Sequence, residues 1–377
     1  MSSFRPELLD DPAELLRADR GGLLRALASS GAQVRRAVGL SAEFGIDRLR
    51  DQLRPRAVLV APDANAPYLS SLLAALASGG APVLDWRDPT LPRWAGPADV
   101  LLVASADGRH PRLAELVAQA DRRGLALAVA APAGSPVAAA AARHPIADLS
   151  YLAAVPPRAV WWALATPALQ ALDALGLAST MPLLDRVADA LDEVAETDRP
   201  DSSAFVGPAK VLAAELADSV PVIAGIGATA TVAARRVAGS VQLIGGSIAM
   251  AAALPDDVAR IGSLLEFAVT ETDLFADREF ETGLRPRLVL IGDDDRYGSD
   301  PDGEWDGLGE EAARRTGSAL AGLAGSRGIG VSRMLVPDAP PLVRFAAATA
   351  TGDFAATYLA LARGVDPSGP RLGELAP

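Results

Sequence analysis

Ser105-Ala106-Asp107-Gly108-Arg109-His110-Pro111-Arg112 gathers a hydroxyl, a glycine, two arginines and a histidine in a few residues. If this run is a loop opening a helix, Ser105 and Gly108 can donate to an anion. Arg109, His110 and Arg112 then add charge at the helix N-terminus. The same run also reads as a solvated loop, with Asp107 capping the helix and Pro111 in its first turn. Upstream, Ala61-Pro62-Asp63-Ala64-Asn65-Ala66-Pro67 offers Asn65 as a ligand-binding group. Asp63, like Asp107, places negative charge where an anion would lie. For proton transfer the candidates are carboxylates: Asp257 and Glu266, with Asp256 beside them, lie close enough in sequence to supply a base. Helix caps and solvated faces are the plainer account of all three. Arg158 precedes a long helical stretch, either as electrostatic support for a reaction or as an ion-paired surface residue.

Three further signals are less specific. Gly225-Ile226-Gly227-Ala228-Thr229-Ala230 follows a strand pattern and opens a helix, so it fits the G-x-G-x-x-A fingerprint. No acidic residue ends the next strand, where ribose recognition would want one, and a turn that packs helix on strand explains the glycines equally. No cofactor is assigned, although Thr229 and Thr231 offer hydroxyls at that helix start. The acidic run Asp293-Asp294-Asp295, followed by Asp300, Asp302, Glu304 and Asp306, departs from EF-hand spacing and reads as a solvated loop, so no metal is assigned. Trp161 and Trp162 follow Arg158, where one ring could stack on a sugar or both could be buried.

These residues need a frame. With 377 residues, half of them apolar, the chain can bury a large core. The first fifty residues read as short helices broken by glycine. From Arg56 apolar runs alternate with helical periodicity: strands at 57–61, 82–85, 99–104 and 125–131, helices at 68–78 and 111–123. Residues 156–198 read as wholly helical. A second alternating stretch follows, with strands at 220–224, 241–244, 287–291 and 330–336 and helices at 229–238, 310–323 and 341–362. Short apolar strands separated by helices predict parallel sheets covered on both faces, with ligands at the carboxyl ends of strands. A net charge of −12 argues against nucleic acid and anionic membrane as partners. The absence of cysteine excludes disulfides, thiolate nucleophiles and Cys-based metal sites. Lys210 is the sole lysine, which together with heavy alanine usage reads as GC-rich codon bias and is given no chemical role. No signal-peptide pattern or membrane-length apolar run is present, so a cytoplasmic protein is expected.

Thr351-Gly352-Asp353-Phe354 through Tyr358-Leu359-Ala360-Leu361 to Gly364-Val365-Asp366-Pro367 reads as a tightly packed helix, buried in a domain or a dimer. Three other segments accompany it: Leu91-Pro92-Arg93-Trp94-Ala95-Gly96-Pro97; Pro157-Arg158-Ala159; and Gly207-Pro208-Ala209-Lys210, with Val220-Pro221-Val222-Ile223 after it. In this order they resemble segments of the bacterial and archaeal bifunctional phosphoglucose/phosphomannose isomerases, a branch of the sugar isomerase (SIS) fold. The resemblance covers most of the chain from about residue 55. It implies an α/β protein of two SIS-type doubly wound parallel-sheet units, and a homodimer. The expected parts are an N-terminal helical segment (1–54), a first SIS unit (55–155), a helical linker (156–204) and a second SIS unit with a C-terminal helix (205–377).

Aldose–ketose isomerisation in that family needs a carboxylate to move a proton between C1 and C2, a group to assist ring opening and a cation for developing oxygen charge. The family's glutamate segment corresponds here to Val241-Gln242-Leu243-Ile244-Gly245-Gly246-Ser247, without a carboxylate. Its histidine run corresponds to Asp256-Asp257-Val258-Ala259-Arg260-Ile261, without a histidine. In the family's second phosphate loop, Ser105 and Gly108 match, while Asp107 and His110 replace hydroxyl positions. Arg158 is the catalytic-type charge retained. The expectation is an altered binding or regulatory member of the lineage, with a sugar phosphate or related carbohydrate as ligand. The alternatives are an active isomerase on mannose 6-phosphate or glucose 6-phosphate with relocated residues, Arg158 beside Asp257 or Glu266, and a pure interaction protein.

Overall fold

The computed structural model describes residues 4–43, 45–51, 54–77, 80–141, 144, 146–267, 285–292 and 307–368. The acidic run between Asp293 and Asp306 lies outside them. The chain divides into two compact units: a middle unit, 25–193, and a split unit built from 1–24 together with 194–377. Residues 1–54, read from the sequence as one helical segment, are therefore shared between the two.

The chain opens with a short 3-10 turn, Pro6–Asp10, and α1 (Pro12–Ala18), capped by Asp11, whose carboxylate accepts the Glu14 N–H. Asp19 then accepts the N–H groups of Leu23 and Leu24 at 2.9 Å each, starting α2 (Leu23–Ala28).

The middle unit contains α3 (Ser30–Glu43), β1 (Ala57–Pro62), α4 (Leu69–Leu76), β2 (Val83–Asp85), β3 (Asp99–Ala104), α5 (Pro111–Arg123), β4 (Ala126–Ala131), α6 (Pro136–Ala140), β5 (Ile146–Asp148) and α7 (Trp161–Ala174). Its five strands are all parallel, in the order β2-β1-β3-β4-β5. Every residue of β1 and β3 is buried, as the unbroken apolar runs require of strands covered on both faces. One face packs Leu59, Leu101, Val103, Leu127 and Val129 with Leu113, Leu116 and Val117 of α5. The other is covered by α7, which is buried along almost its whole length and packs in turn on α3.

After α8 (Leu184–Thr197) come α9 (Pro208–Leu216), β6 (Ser219–Ile226), α10 (Ala228–Leu243), β7 (Met250–Leu254), α11 (Val258–Phe267), β8 (Arg285–Ile291), α12 (Gly307–Ser326), β9 (Gly330–Met334) and α13 (Pro341–Ala362). The second sheet is parallel, in the order β7-β6-β8-β9, the same winding as the first. Val222, Ala224, Leu288 and Leu290 pack with Ile261, Leu265 and Leu320 on one face. α13 is the tightly packed helix expected from its composition, buried from Leu342 to Ala362 except at Arg344, and it packs against α9 and α10 within this unit.

One strand is misplaced in the sequence reading. Residues 241–243 end α10, and the edge strand is Met250–Leu254. Val241-Gln242-Leu243-Ile244 has the composition of a strand, whereas Met250-Ala251-Ala252-Ala253-Leu254 is rich in alanine, which carries little strand preference. Among the described residues, no helix is long and apolar enough to cross a membrane.

Candidate functional site

In a sheet of order 2-1-3-4-5 the strand order reverses between β1 and β3, and the loops leaving these two strands are where a ligand would bind. Pro62 pairs with Ala104 in register, and the Asp63 N–H donates to Ala104 O at 2.8 Å, so the two loops leave the sheet side by side. Asp63 is buried, and its carboxylate bridges them. One oxygen accepts the Asn65 N–H at 2.8 Å; the other accepts the Ala106 N–H at 2.6 Å. The Asn65 side chain also turns inward, with Nδ2 3.4 Å from Asp63 Oδ2.

The β3 loop closes on itself in the same way. Ser105 is fully buried, and its Oγ accepts the Gly108 N–H at 3.1 Å. Asp107 accepts the Arg109 N–H at 2.9 Å rather than capping α5. The cap is His110, whose Nδ1 accepts the Arg112 N–H at 3.3 Å, because Asp107 is already engaged one turn earlier. Gly108 has φ +63°, and a Cβ there would lie 2.1 Å from Ser135 Oγ, so this glycine serves a close packing contact. Arg109 and His110 are exposed. Arg112 points inward, donating to Trp86 O at 3.0 Å and Pro62 O at 3.2 Å, and its burial lowers its pKa. Backbone donors that an anion would use, at Asn65, Ala106, Gly108 and Arg109, are thus occupied by the chain's own side chains.

Arg158 lies half-buried in the turn Pro157–Ala159. That turn is held by Gln33, whose amide donates to Ala159 O at 3.0 Å, and by Trp161, whose Nε1 donates to Pro67 O at 2.9 Å. Arg158 is therefore anchored near the loop after β1. Trp161 and Trp162 are both buried, with ring centroids 4.9 Å apart at 78°, and form part of the core.

In the split unit the corresponding loop runs from β6 into α10. A Cβ on Gly225 would meet Ala230 and Thr231 backbone atoms at 2.3 Å, so the glycine motif is what lets this helix lie on its strand. Thr231 Oγ1 turns back to Gly225 O at 3.4 Å, while Thr229 is half-buried in the first turn of α10. Asp257 accepts the Ala253 N–H at 2.8 Å and pairs with Arg260 at 3.0 Å. Arg260 and that N–H hold its carboxyl below the usual range, favouring the ionised form. Glu266 and Asp256 are exposed. Among the described residues, no group of three or more His, Asp or Glu could hold a metal ion.

Sequence reasoning misses two buried polar clusters of the split unit. Arg236 forms a bidentate pair with Asp353, at 2.7 and 3.2 Å, and the Ser240 hydroxyl also donates to Asp353. Burial raises the Asp353 pKa against the opposing pull of Arg236 and Ser240. The second cluster surrounds Lys210, and its signal is in plain view, since this is the sole lysine.

Residues 205–370 match the family described as the bacterial phospho-glucose isomerase C-terminal SIS domain. A search of curated proteins by sequence gives no significant match. Three solved structures show the likeness of fold. A hypothetical protein from Thermus thermophilus has a TM-score of 0.65 at 16% identity, covering 98% of this chain and 93% of its own. A protein provisionally named a phosphosugar isomerase, from Silicibacter pomeroyi, has a TM-score of 0.60 at 17% identity, covering 92% and 99%. The C-terminal domain of glucosamine-fructose-6-phosphate aminotransferase from Francisella tularensis has a TM-score of 0.56 at 10% identity, covering 91% and 96%. At such identities the likeness is one of fold.

Proposed function

Residues 205–370 make this chain an SIS-domain protein of the phosphoglucose isomerase type, and from that premise we infer a binding or regulatory protein for an anionic carbohydrate derivative, without isomerase turnover. The observation that carries this reading is the Asp63 carboxylate seated on the Asn65 and Ala106 N–H groups. A carboxylate there supplies internally the charge and acceptor oxygens that a phosphate would bring, and it repels a second anion. Asp257, ionised and paired with Arg260, supports the same reading, because a base must be free to take a proton in the substrate's reach. ε-Amino chemistry has no agent, since Lys210 is fully buried. Ligand binding then falls to the split unit, where the first turn of α10 presents Thr229 and backbone N–H groups that the N-cap residue Gly227 does not cap with a side chain, at the carboxyl end of β6. The protein acts as a cytoplasmic homodimer in this reading.

Calorimetric titration with glucose 6-phosphate, mannose 6-phosphate and fructose 6-phosphate tests it, alongside a coupled turnover assay. Binding of at least one sugar phosphate, weakened in Thr229→Val and retained in Asp63→Ala, with no turnover, is the expected result. Turnover that disappears in Arg158→Ala would replace this reading with a relocated isomerase site. Absence of both binding and turnover would leave an interaction protein.

A further inference from the structure

Of 35 basic residues only Lys210 is a lysine, and it sits on α9 with its side chain fully buried. Its ammonium donates to three backbone carbonyls: Leu9 at 2.6 Å, Pro200 at 2.7 Å and Ser202 at 2.6 Å. Nζ also lies 5.3 Å from the centroid of the Tyr358 ring on α13. Two of the carbonyls belong to the loop leading into α9. The third belongs to the opening 3-10 turn, 201 residues away in sequence. Around it the opening segment makes two more bonds to the same unit: Asp10 accepts the Ala204 N–H at 2.8 Å, and the Arg5 N–H donates to Ala362 O at 2.9 Å. Leu8 and Leu9 are buried.

An ammonium carries three donors in a tetrahedral array, whereas a guanidinium carries its five in a plane. Three carbonyls converging from two chain segments are matched by the first shape and not by the second. Everywhere else this chain meets its need for a cation with arginine, so the one exception falls where only the compact donor fits. We propose that Lys210 is a clasp that fastens residues 1–24 and the loop before α9 to α9 in one step, making the opening segment a strap without which the split unit is incomplete. The strap precedes the residues matched to the SIS family, so the clasp extends that unit beyond what the family describes.

Hydrogen exchange on the full chain and its Lys210→Met and Lys210→Arg variants tests the clasp. Both variants should speed exchange of the Arg5 and Ala204 amides at least about tenfold, because carbonyls left without their donor no longer hold the strap. Exchange in β1 and β3 of the middle unit should stay unchanged. Wild-type exchange rates at Arg5 and Ala204 in Lys210→Met would overturn the clasp; the same result in Lys210→Arg alone would overturn the argument from ammonium shape. If neither variant folds, amine acetylation of the natural chain decides. Lys210 should react only at urea concentrations that also release the strap amides, and reaction in native buffer at the rate of an exposed amine would reject the proposal.

Discussion

The two sheets share one winding but finish their ligand-side loops by opposite means. In the middle unit, side chains close the loops: Asp63 bridges them, Ser105 and Asp107 hold the second, and the backbone donors are taken. In the split unit the corresponding turn is shaped by the missing side chain of Gly225, and its polar investment lies behind the sheet, at Arg236–Asp353 and around Lys210. Topology alone therefore does not make a phosphate site; the side chains within two or three residues of each strand end decide whether the donors remain open.

That contrast can be broken by substitution, beginning where the effect should be greatest. Asp353→Ala leaves the Arg236 guanidinium buried without its partner and should destabilise the split unit by about 3–5 kcal/mol, read from urea unfolding with hydrogen exchange to locate the loss. Gly225→Ala forces a methyl against Ala230 and Thr231 and should cost about 3 kcal/mol, also confined to that unit. An unchanged midpoint would mean that α10 can lift from its strand. Asp63→Ala should cost about 1 kcal/mol in the middle unit, because two half-buried N–H groups, at Asn65 and Ala106, lose their acceptor. Unlike the first two, it should raise exchange at Ala106 and leave α10 protected.

An effect of a different kind is a matter of pH. Burial pushes the Asp198 carboxyl up to about 6, although its Oδ1 accepts the Ala209 N–H and Lys210 is near. The folded state thus holds a proton that the unfolded chain has already released between about pH 6 and the ordinary carboxylate value of 3.8. This group therefore weakens the fold above about pH 6 and ceases to do so as pH falls through that window. Asp198→Asn keeps the acceptor and removes the charge. Its melting temperature should exceed the natural chain's at pH 7, with the gap closing toward pH 4; a constant gap would reject the assignment. The smallest effect should come from Asp257→Asn, under about 1 kcal/mol, because its partner Arg260 is well exposed to water.

The architecture is largely legible in the sequence, since β1 and β3 are nearly pure apolar runs, β8 ends in one at 288–291, and α13 carries distinctive punctuation. The failure at 241–244 has a plain cause: Val241 and Ile244 favour a strand by type and the run is mostly apolar, and the packing of α10 overrides this. Asp63 is recognisable as hostile to an anion, but its two-loop bridge depends on the register of β1 with β3, which a single strand does not reveal. Asp107 reads as the helix cap because its type is right; His110 holds that place because Asp107 turns back to Arg109. The scarcity of lysine is what makes Lys210 conspicuous.

The clasp has a consequence for the order in which the protein is made. The middle unit is one continuous stretch, so its sheet can close while later residues are still being translated. The strap leaves the ribosome before the middle unit, yet its lysine, its loop and the helix that receives Arg5 come about two hundred residues or more afterwards. Leu8 and Leu9, buried in the finished fold, therefore wait for their partners until the middle unit has been made, and the split unit closes after it.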